Sequence, residues 1–331
     1  MSTITSTVTL NDGTKMPQFG LGVYLTRGQS GVQAIQTALD LGYRHIDTAQ
    51  FYNNEEEVGR AVKGSPVPRD QIWITTKIWD SNQGYEQTKK SLQQSLRELQ
   101  MDYADLVLLH SPSPGSNKRL ASWKALEEAR DSGLVRSIGV SNYGNQHLQE
   151  MIDNKVRYMP SVNQIEVSPF FQRQHIVKRC NELGIHVQAY SPLGKGAHVN
   201  DPKLTKLGQK YNKTASQMLI KWSLQSGFTV IPKSSNPDRI KENASIFDFT
   251  ISPEDMQTMN AMETGSGVTW DRTCTTWRST LTCSDRVPVK GKHRHSACLN
   301  SAHRDSQMLN YSQRCRSLFT KMPFQNPCRR H

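Results

Sequence analysis

The feature that most constrains this 331-residue chain is an alternation of element type that repeats eight times. Short β-rich runs fall at 19–24, 43–47, 72–77, 104–110, 135–141, 161–165, 185–190 and 229–232. Between them apolar residues recur every three or four positions, as at Val32, Ile35, Ala38 and Leu39 or at Leu92, Leu96 and Leu99. That is the period of a helix with one buried face. Strands that alternate with helices pair in parallel, because each helix carries the chain back to the same edge of the sheet. Eight such units over about 230 residues predict an α/β fold, a closed (β/α)8 TIM barrel. An open doubly wound sheet is the competing architecture. It calls for a glycine-rich phosphate turn after its first strand, and Gly20-Leu21-Gly22 lacks both the third glycine and the helix that should follow. Ahead of the barrel, Asn11-Asp12-Gly13 between two short β-rich runs predicts an N-terminal β-hairpin.

Composition divides the chain near residue 271. The formal net charge is +12, which would point to an anionic partner such as nucleic acid. Located along the chain, the charge loses that meaning for the body. Twelve Lys/Arg lie beyond Asp271 against Asp285 and Asp305 alone, so residues 1–271 carry +2. Cysteine follows the same division, since Cys180 is the single one before Cys274, Cys283, Cys298, Cys315 and Cys328. A body with one cysteine reads as a reduced, cytoplasmic protein. The N-terminus has no basic region followed by an apolar core, and no run is long enough to span a membrane. The chain thus divides into 1–271, the barrel, and 272–331, an atypical basic, cysteine-rich tail with little apolar periodicity, expected to be disordered. Three readings of that tail are open: a translated intron or shifted frame, a genuine tail for an acidic partner, or a Cys/His metal module. The last lacks paired close spacing.

In a barrel of this kind chemistry sits at the C-terminal ends of the strands. Those ends deliver Gly22, Asp47, Lys77, His110, Ser141-Asn142, Gln164, Tyr190-Ser191 and Lys233-Ser234, nearly all polar where a purely structural barrel needs none. Taken singly, such residues are more often caps, packing or solvated surface. Taken together at successive strand ends they point to a site. No His-Glu-x-x-His, Cys-x-x-Cys or Gly-x-Ser-x-Gly occurs in the body, so no metal is expected. Tyr85-Glu-Gln-Thr-Lys89 has the Tyr-x-x-x-Lys spacing of short-chain dehydrogenases, a spacing that any amphipathic helix produces readily.

Five segments, in order, resemble motifs of the aldo-keto reductase family: Asp47-Thr-Ala-Gln-Phe-Tyr52-Asn-Asn-Glu55, Ile74-Thr-Thr-Lys77-Ile-Trp79, Asp105-Leu-Val-Leu-Leu-His110, Ile138-Gly-Val-Ser141-Asn142 and Ile231-Pro-Lys233-Ser234. The resemblance runs over residues 7–271. It implies an oxidoreductase that reduces an aldehyde or ketone with NADPH, NADH being possible, through a tetrad of Asp47, Tyr52, Lys77 and His110. Tyr52 would give a proton to the developing alkoxide, Lys77 would draw its pKa toward the working range, Asp47 would hold Lys77, and His110 would orient the carbonyl. The cofactor would lie against Tyr190, with Ser141, Asn142 and Gln164 on its carboxamide and Ser191, Leu193 and Gly194 near its pyrophosphate. Lys233, Ser234 and Arg239 suit a 2′-phosphate, Glu242 and Asn243 would face adenine, and Gly22, Val23 and Tyr24 complete the set. Tyr24, Phe51, Tyr52, Trp79, His110 and Ser111 are the expected substrate contacts. Many relatives carry tryptophan directly after the histidine, where this chain has Ser111. The expected partner is a small carbonyl compound, with no membrane or nucleic acid, and the expected state a monomer. The resemblance also admits a second class, a nicotinamide-binding regulatory subunit with little turnover.

Overall fold

The computed structural model describes residues 2–269 and 271–273 of the chain. Two strands, β1 (Thr7–Thr9) and β2 (Lys15–Pro17), pair antiparallel around Gly13, whose φ of 82° is the left-handed geometry the tight turn requires. Eight more strands follow: β3 (Leu21–Gly22), β4 (His45–Asp47), β5 (Trp73–Ile78), β6 (Ala104–Leu109), β7 (Val135–Ser141), β8 (Val162–Glu166), β9 (His186–Tyr190) and β10 (Thr229–Val230). They pair in parallel in sequence order. The ring closes through the parallel bridges Phe19 to Val230 and Gly22 to Lys233, supported by Gly22 N–H donating to Pro232 O at 3.1 Å. A Cβ on Gly22 would lie 3.0 Å from Ile231 O, so the seam needs glycine there. The expected (β/α)8 barrel and its hairpin are present.

Helices α1 (Gly28–Asp40), α2 (Glu55–Lys63), α3 (Tyr85–Leu99), α4 (Ser116–Asp131), α5 (Asn145–Asp153), α6 (Gln174–Glu182), α7 (Pro202–Gln209), α8 (Ala215–Gln225), α9 (Pro237–Ala244) and α10 (Pro253–Asn260) surround the strands. In α3 the spacing of Leu92, Leu96 and Leu99 puts all three against the barrel, and the helix ends where Gln100 turns left-handed at φ 55°. Thr214 opens α8 by accepting from Gln217 N–H while Gln217 returns its side chain to Thr214 N–H, a reciprocal cap worth about 1 kcal/mol.

The hairpin seats Leu10 and Met16 against Trp73, Leu106, Leu108 and Val162, closing the N-terminal end of the barrel with apolar surface. Chemistry is thereby confined to the other end. The chain divides into units Met1–Thr276 and Trp277–His331, and the second lies outside the described residues, as does the expected disordered tail beyond Thr273. Contacts continue for two residues past the expected boundary at Asp271. Thr273 is buried, its hydroxyl accepts from Arg173 Nη1 at 2.7 Å, and its backbone fills the space a Cβ on Gly144 would take. Among the described residues no helix is long and apolar enough to cross a membrane.

Candidate active site

Three charged or ionisable groups meet just inside the C-terminal mouth. Lys77, near the end of β5, is fully buried, and its ammonium donates to Asp47 Oδ1 at 2.6 Å, to Thr48 O at 2.9 Å and to the Tyr52 hydroxyl at 3.3 Å. Tyr52 arrives on a short 3₁₀ turn, Gln50–Tyr52, that Asn53 stops in a left-handed conformation. Gln50 pins that turn by donating to Ser91 O and accepting from Trp79 N–H, so the hydroxyl is held toward the strand ends. Burial pushes Lys77 below the ordinary lysine range, and the Asp47 carboxylate opposes the shift. Burial also raises Tyr52 well above the ordinary phenol range, with Asp47 and Tyr24 adding to it. The direction of that shift leaves the phenol protonated at neutral pH.

His110 follows β6 and is almost fully buried. Trp79 lies edge-on to its ring at 5.0 Å, with Phe51 at 6.2 Å and Tyr52 at 5.8 Å. Burial, Lys77 and Arg272 drive its pKa well below the usual value, so the imidazole is neutral. Its Nδ1 is buried without a hydrogen-bond partner among the described residues. A bare lone pair there costs less than a stranded N–H, which favours the tautomer with its proton on Nε2. Phe51 stacks on Trp79 at 4.1 Å, and Tyr24 stands exposed 5.0 Å from Tyr52. These aromatic faces form an apolar wall beside a proton-bearing phenol and a neutral imidazole, an arrangement suited to a polar oxygen on an otherwise apolar molecule.

The expected cofactor residues form a second, connected cluster. Asn142, in a left-handed conformation, donates to His110 O at 3.0 Å and to Ser141 Oγ at 3.1 Å, and accepts from the Tyr190 hydroxyl at 2.9 Å. Ser141 Oγ donates to Gln164 O, and Gln164 Nε2 donates to Asp47 Oδ2 at 2.7 Å. Ser191 and Gly194, both at positive φ, shape the turn after β9, and Leu193 packs between core clusters. At the start of α9, Asn236 caps Arg239 N–H, and Lys233 and Arg239 are exposed. Ser234 is folded back on Asn236, Glu242 accepts from Thr214 at 2.6 Å, and Asn243 is buried.

Two of the residues expected to touch a ligand are fully buried. Val23 is fully buried in the core, its N–H is given to Asp47 O and its carbonyl accepts from Asn54. Ser111 is also fully buried, and its hydroxyl donates to Asp80 at 2.7 Å instead of facing the mouth. Tyr85 and Lys89 lie outside the barrel on α3, both paired with Glu128. Conversely, the structure brings in Glu166, whose carboxylate accepts from Val268 N–H at 2.7 Å, Thr269 N–H at 3.0 Å and the Thr269 hydroxyl. Thr269 in turn bonds the Tyr190 hydroxyl at 3.1 Å, and Arg272 bonds Asp80 at 2.8 Å and also Ser113. Val268, Thr269 and Arg272 therefore lie against residues at the strand ends. Glu166 was within reach of sequence: ending the sixth strand at residue 165 left it one position short.

Residues 20–264 match the model of the aldo/keto reductase family. The chain belongs to that family. An aldo-keto reductase of Mycolicibacterium smegmatis is 45% identical over 258 residues, covering 78% of this chain and 94% of the relative. A glyoxal reductase of Bacillus subtilis is 41% identical over 262 residues, covering 79% and 94%. An aldo-keto reductase of Bombyx mori in complex with NADP superposes with a TM-score of 0.75 at 34% identity, covering 81% of this chain and 96% of that one. As a member of the family, the chain is an oxidoreductase that acts on carbonyl compounds.

Proposed function

We propose that this aldo-keto reductase reduces an aldehyde or ketone to the alcohol with NADPH and Tyr52 as general acid. The observation that carries the proposal is the buried contact of Lys77 with both Asp47 and Tyr52. The residues present fit a nicotinamide dinucleotide. Ser141, Asn142 and Gln164 have acceptor capacity left for an amide NH₂, Tyr190 offers a ring face, and Lys233 and Arg239 offer exposed cations to a phosphate at a helix N-terminus. When bound, the nicotinamide supplies the hydride.

The protein's own part is to hold the carbonyl and move a proton. His110, neutral and with its proton on Nε2, donates to the carbonyl oxygen and fixes its direction. Tyr52, which burial keeps protonated, delivers its hydroxyl proton to that oxygen as negative charge gathers there. Lys77 then stabilises the phenolate left behind, its ammonium already aimed at the oxygen. The wall of Phe51, Trp79 and Tyr24 excludes water from the reacting oxygen. The name of the Bacillus subtilis relative supports small aldehydes as the first substrates to assay.

Tyr52→Phe tests the reading. General acid catalysis contributes about 10²–10⁴-fold, so turnover should fall at least that far while dinucleotide binding is kept. Retention of more than about a tenth of the wild-type rate would overturn Tyr52 as the acid.

A further inference from the structure

Below the mouth, the inward side chains of successive strands form an unbroken polar thread. Gln164 and Gln188 stand in register on neighbouring strands β8 and β9. Gln164 Nε2 donates to Asp47 Oδ2 at 2.7 Å and to Gln188 Oε1 at 3.0 Å. Gln188 Nε2 lies 3.4 Å from His45 Nε2, which is also 3.0 Å from Thr75 Oγ1, while His45 Nδ1 lies 3.2 Å from Pro17 O. Trp73 Nε1 donates to Thr75 Oγ1 at 3.2 Å. All of His45, Thr75, Gln164 and Gln188 are buried to within 2% of completely.

The direction of every bond in this thread follows from its charged end. The Asp47 carboxylate can only accept, so Gln164 must turn its amide nitrogen toward it. The second hydrogen of that nitrogen then needs an acceptor, which sets the Gln188 carbonyl oxygen toward Gln164. The Gln188 nitrogen is left facing His45 Nε2, which must be bare, and the ring proton goes to Nδ1 and on to Pro17 O. Thr75, an acceptor from Trp73, gives its own proton to the same His45 nitrogen at 3.0 Å, so the two donors share one lone pair and the 3.4 Å contact from Gln188 is the weaker. Burial keeps His45 neutral, lowering its pKa to about 4, in keeping with this single arrangement. With both hydrogens of Gln164 committed, the group it has left to present at the mouth is its carbonyl oxygen.

We propose that Gln188 is a positioning residue for the cofactor's nicotinamide: by accepting from Gln164 it locks that side chain with its oxygen aimed at the carboxamide NH₂. This rests on the placement of the nicotinamide beside Gln164 proposed above. Gln188 touches neither substrate nor cofactor. It acts by removing the alternative orientations of a neighbour, so that less ordering remains to be done on binding. A leucine or methionine there would fill the space equally well, which is why the effect should be separable from packing.

The test compares two ligands: NADP⁺, and 2′-phospho-ADP-ribose, the same molecule without its nicotinamide. Affinities are measured by titration calorimetry on the full chain carrying Gln188→Met, Gln164→Ala, or both. Loss of one hydrogen bond acting through Gln164 should weaken NADP⁺ by roughly threefold to tenfold in Q188M and leave the fragment unchanged. In the Q164A background the second substitution should do nothing further. Gln188→Glu, which burial keeps protonated with its O–H toward the bare His45 Nε2, retains the oxygen that accepts from Gln164 and should hold the NADP⁺ to fragment ratio near wild type even if Q188M folds poorly. Equal weakening of both ligands, additive losses in the double variant, or a ratio unmoved by Q188M while Q164A lowers it would overturn the proposal alone. A ratio unmoved by Q164A would overturn the nicotinamide placement, and the proposal with it.

Discussion

Asp47 holds Lys77 from one carboxylate oxygen and Gln164 from the other, at 2.6 and 2.7 Å, so one acid orders both the side proposed to donate the proton and the side proposed to hold the cofactor. Its replacement should therefore be felt on both. In Asp47→Asn the Lys77 ammonium loses the charge that opposes its burial, and breaking such a buried pair costs about 3–5 kcal/mol. The lysine can escape that cost by losing its proton. Activity that needs a charged Lys77 is lost as pH rises through its pKa, so the alkaline limb of the kcat/KM profile should move to lower pH in the variant. A limb that stays in place or moves up would show that Asp47 does not control Lys77.

Besides His110, three histidines withdrawn from water make the fold sensitive to acid. Burial lowers His45, His147 and His186 each to about 4. An unfolded histidine takes up its proton near 6.5, so the stability tied to each is complete above that pH and is lost as pH falls toward 4, by about 3 kcal/mol apiece. Glu55 works the other way. Burial raises its pKa to about 7, so it destabilises above 7 and that penalty lifts as pH falls, by a similar amount. Three against one leaves a net loss of several kcal/mol between pH 6.5 and 4. Urea midpoints should fall over that range, and more steeply in Glu55→Gln, which removes the opposing group. Midpoints that hold steady from pH 7 to pH 4.5 would contradict the burial of these histidines.

The barrel was legible because its signal is repeated: eight alternations survive errors of a residue or two at any one boundary, as the two-residue strands β3 and β10 show. Asp47, Lys77 and His110 were legible as strand-end polar groups, Tyr52 was legible through the family resemblance alone, and the structure brings the four to one mouth. What escaped depends on direction or on distance in sequence. Nothing local says that Ser111 turns toward Asp80, or that Tyr52 is buried deeply enough for its pKa to rise. Gln188 is one polar residue in a β-rich run, and only the register of β9 against β8 shows it facing Gln164. The bonds from Glu166 to Thr269 and from Arg173 to Thr273 each span about a hundred positions, beyond any periodic pattern.

Arg239 and Lys233 stand exposed at the start of α9, where a phosphate would meet two cations and a helix N-terminus. Arg239→Ala should weaken NADPH by about 10- to 150-fold, the cost of a charge-assisted contact, and weaken NADH little. Cofactor fluorescence titrations of both dinucleotides check it. Equal losses would remove Arg239 from the 2′-phosphate.

The end of the described chain yields the last prediction. Thr273 binds the buried Arg173 guanidinium, and Arg272 spans Asp80 and Ser113 beside the residues that flank His110. A chain ending at Asp271 loses both, and Arg173 keeps only Asp271 for its Nη1. The Arg272 pair is partly solvated and contributes at most about 1 kcal/mol, whereas a buried guanidinium deprived of an acceptor costs about 1–3 kcal/mol. Each kcal/mol moves the melting temperature of a domain this size by about 2–4 °C, so the chain ending at Asp271 should melt several degrees below one ending at Thr273. The mouth should respond as well. Arg272 helps to hold His110 neutral, so its loss lets the histidine pKa rise, and the acid limb of the kcat/KM profile should move to higher pH. Equal melting temperatures and superimposable pH profiles for the two chains would mean that the barrel unit is complete at Asp271 and that Arg272 and Thr273 contribute nothing to it.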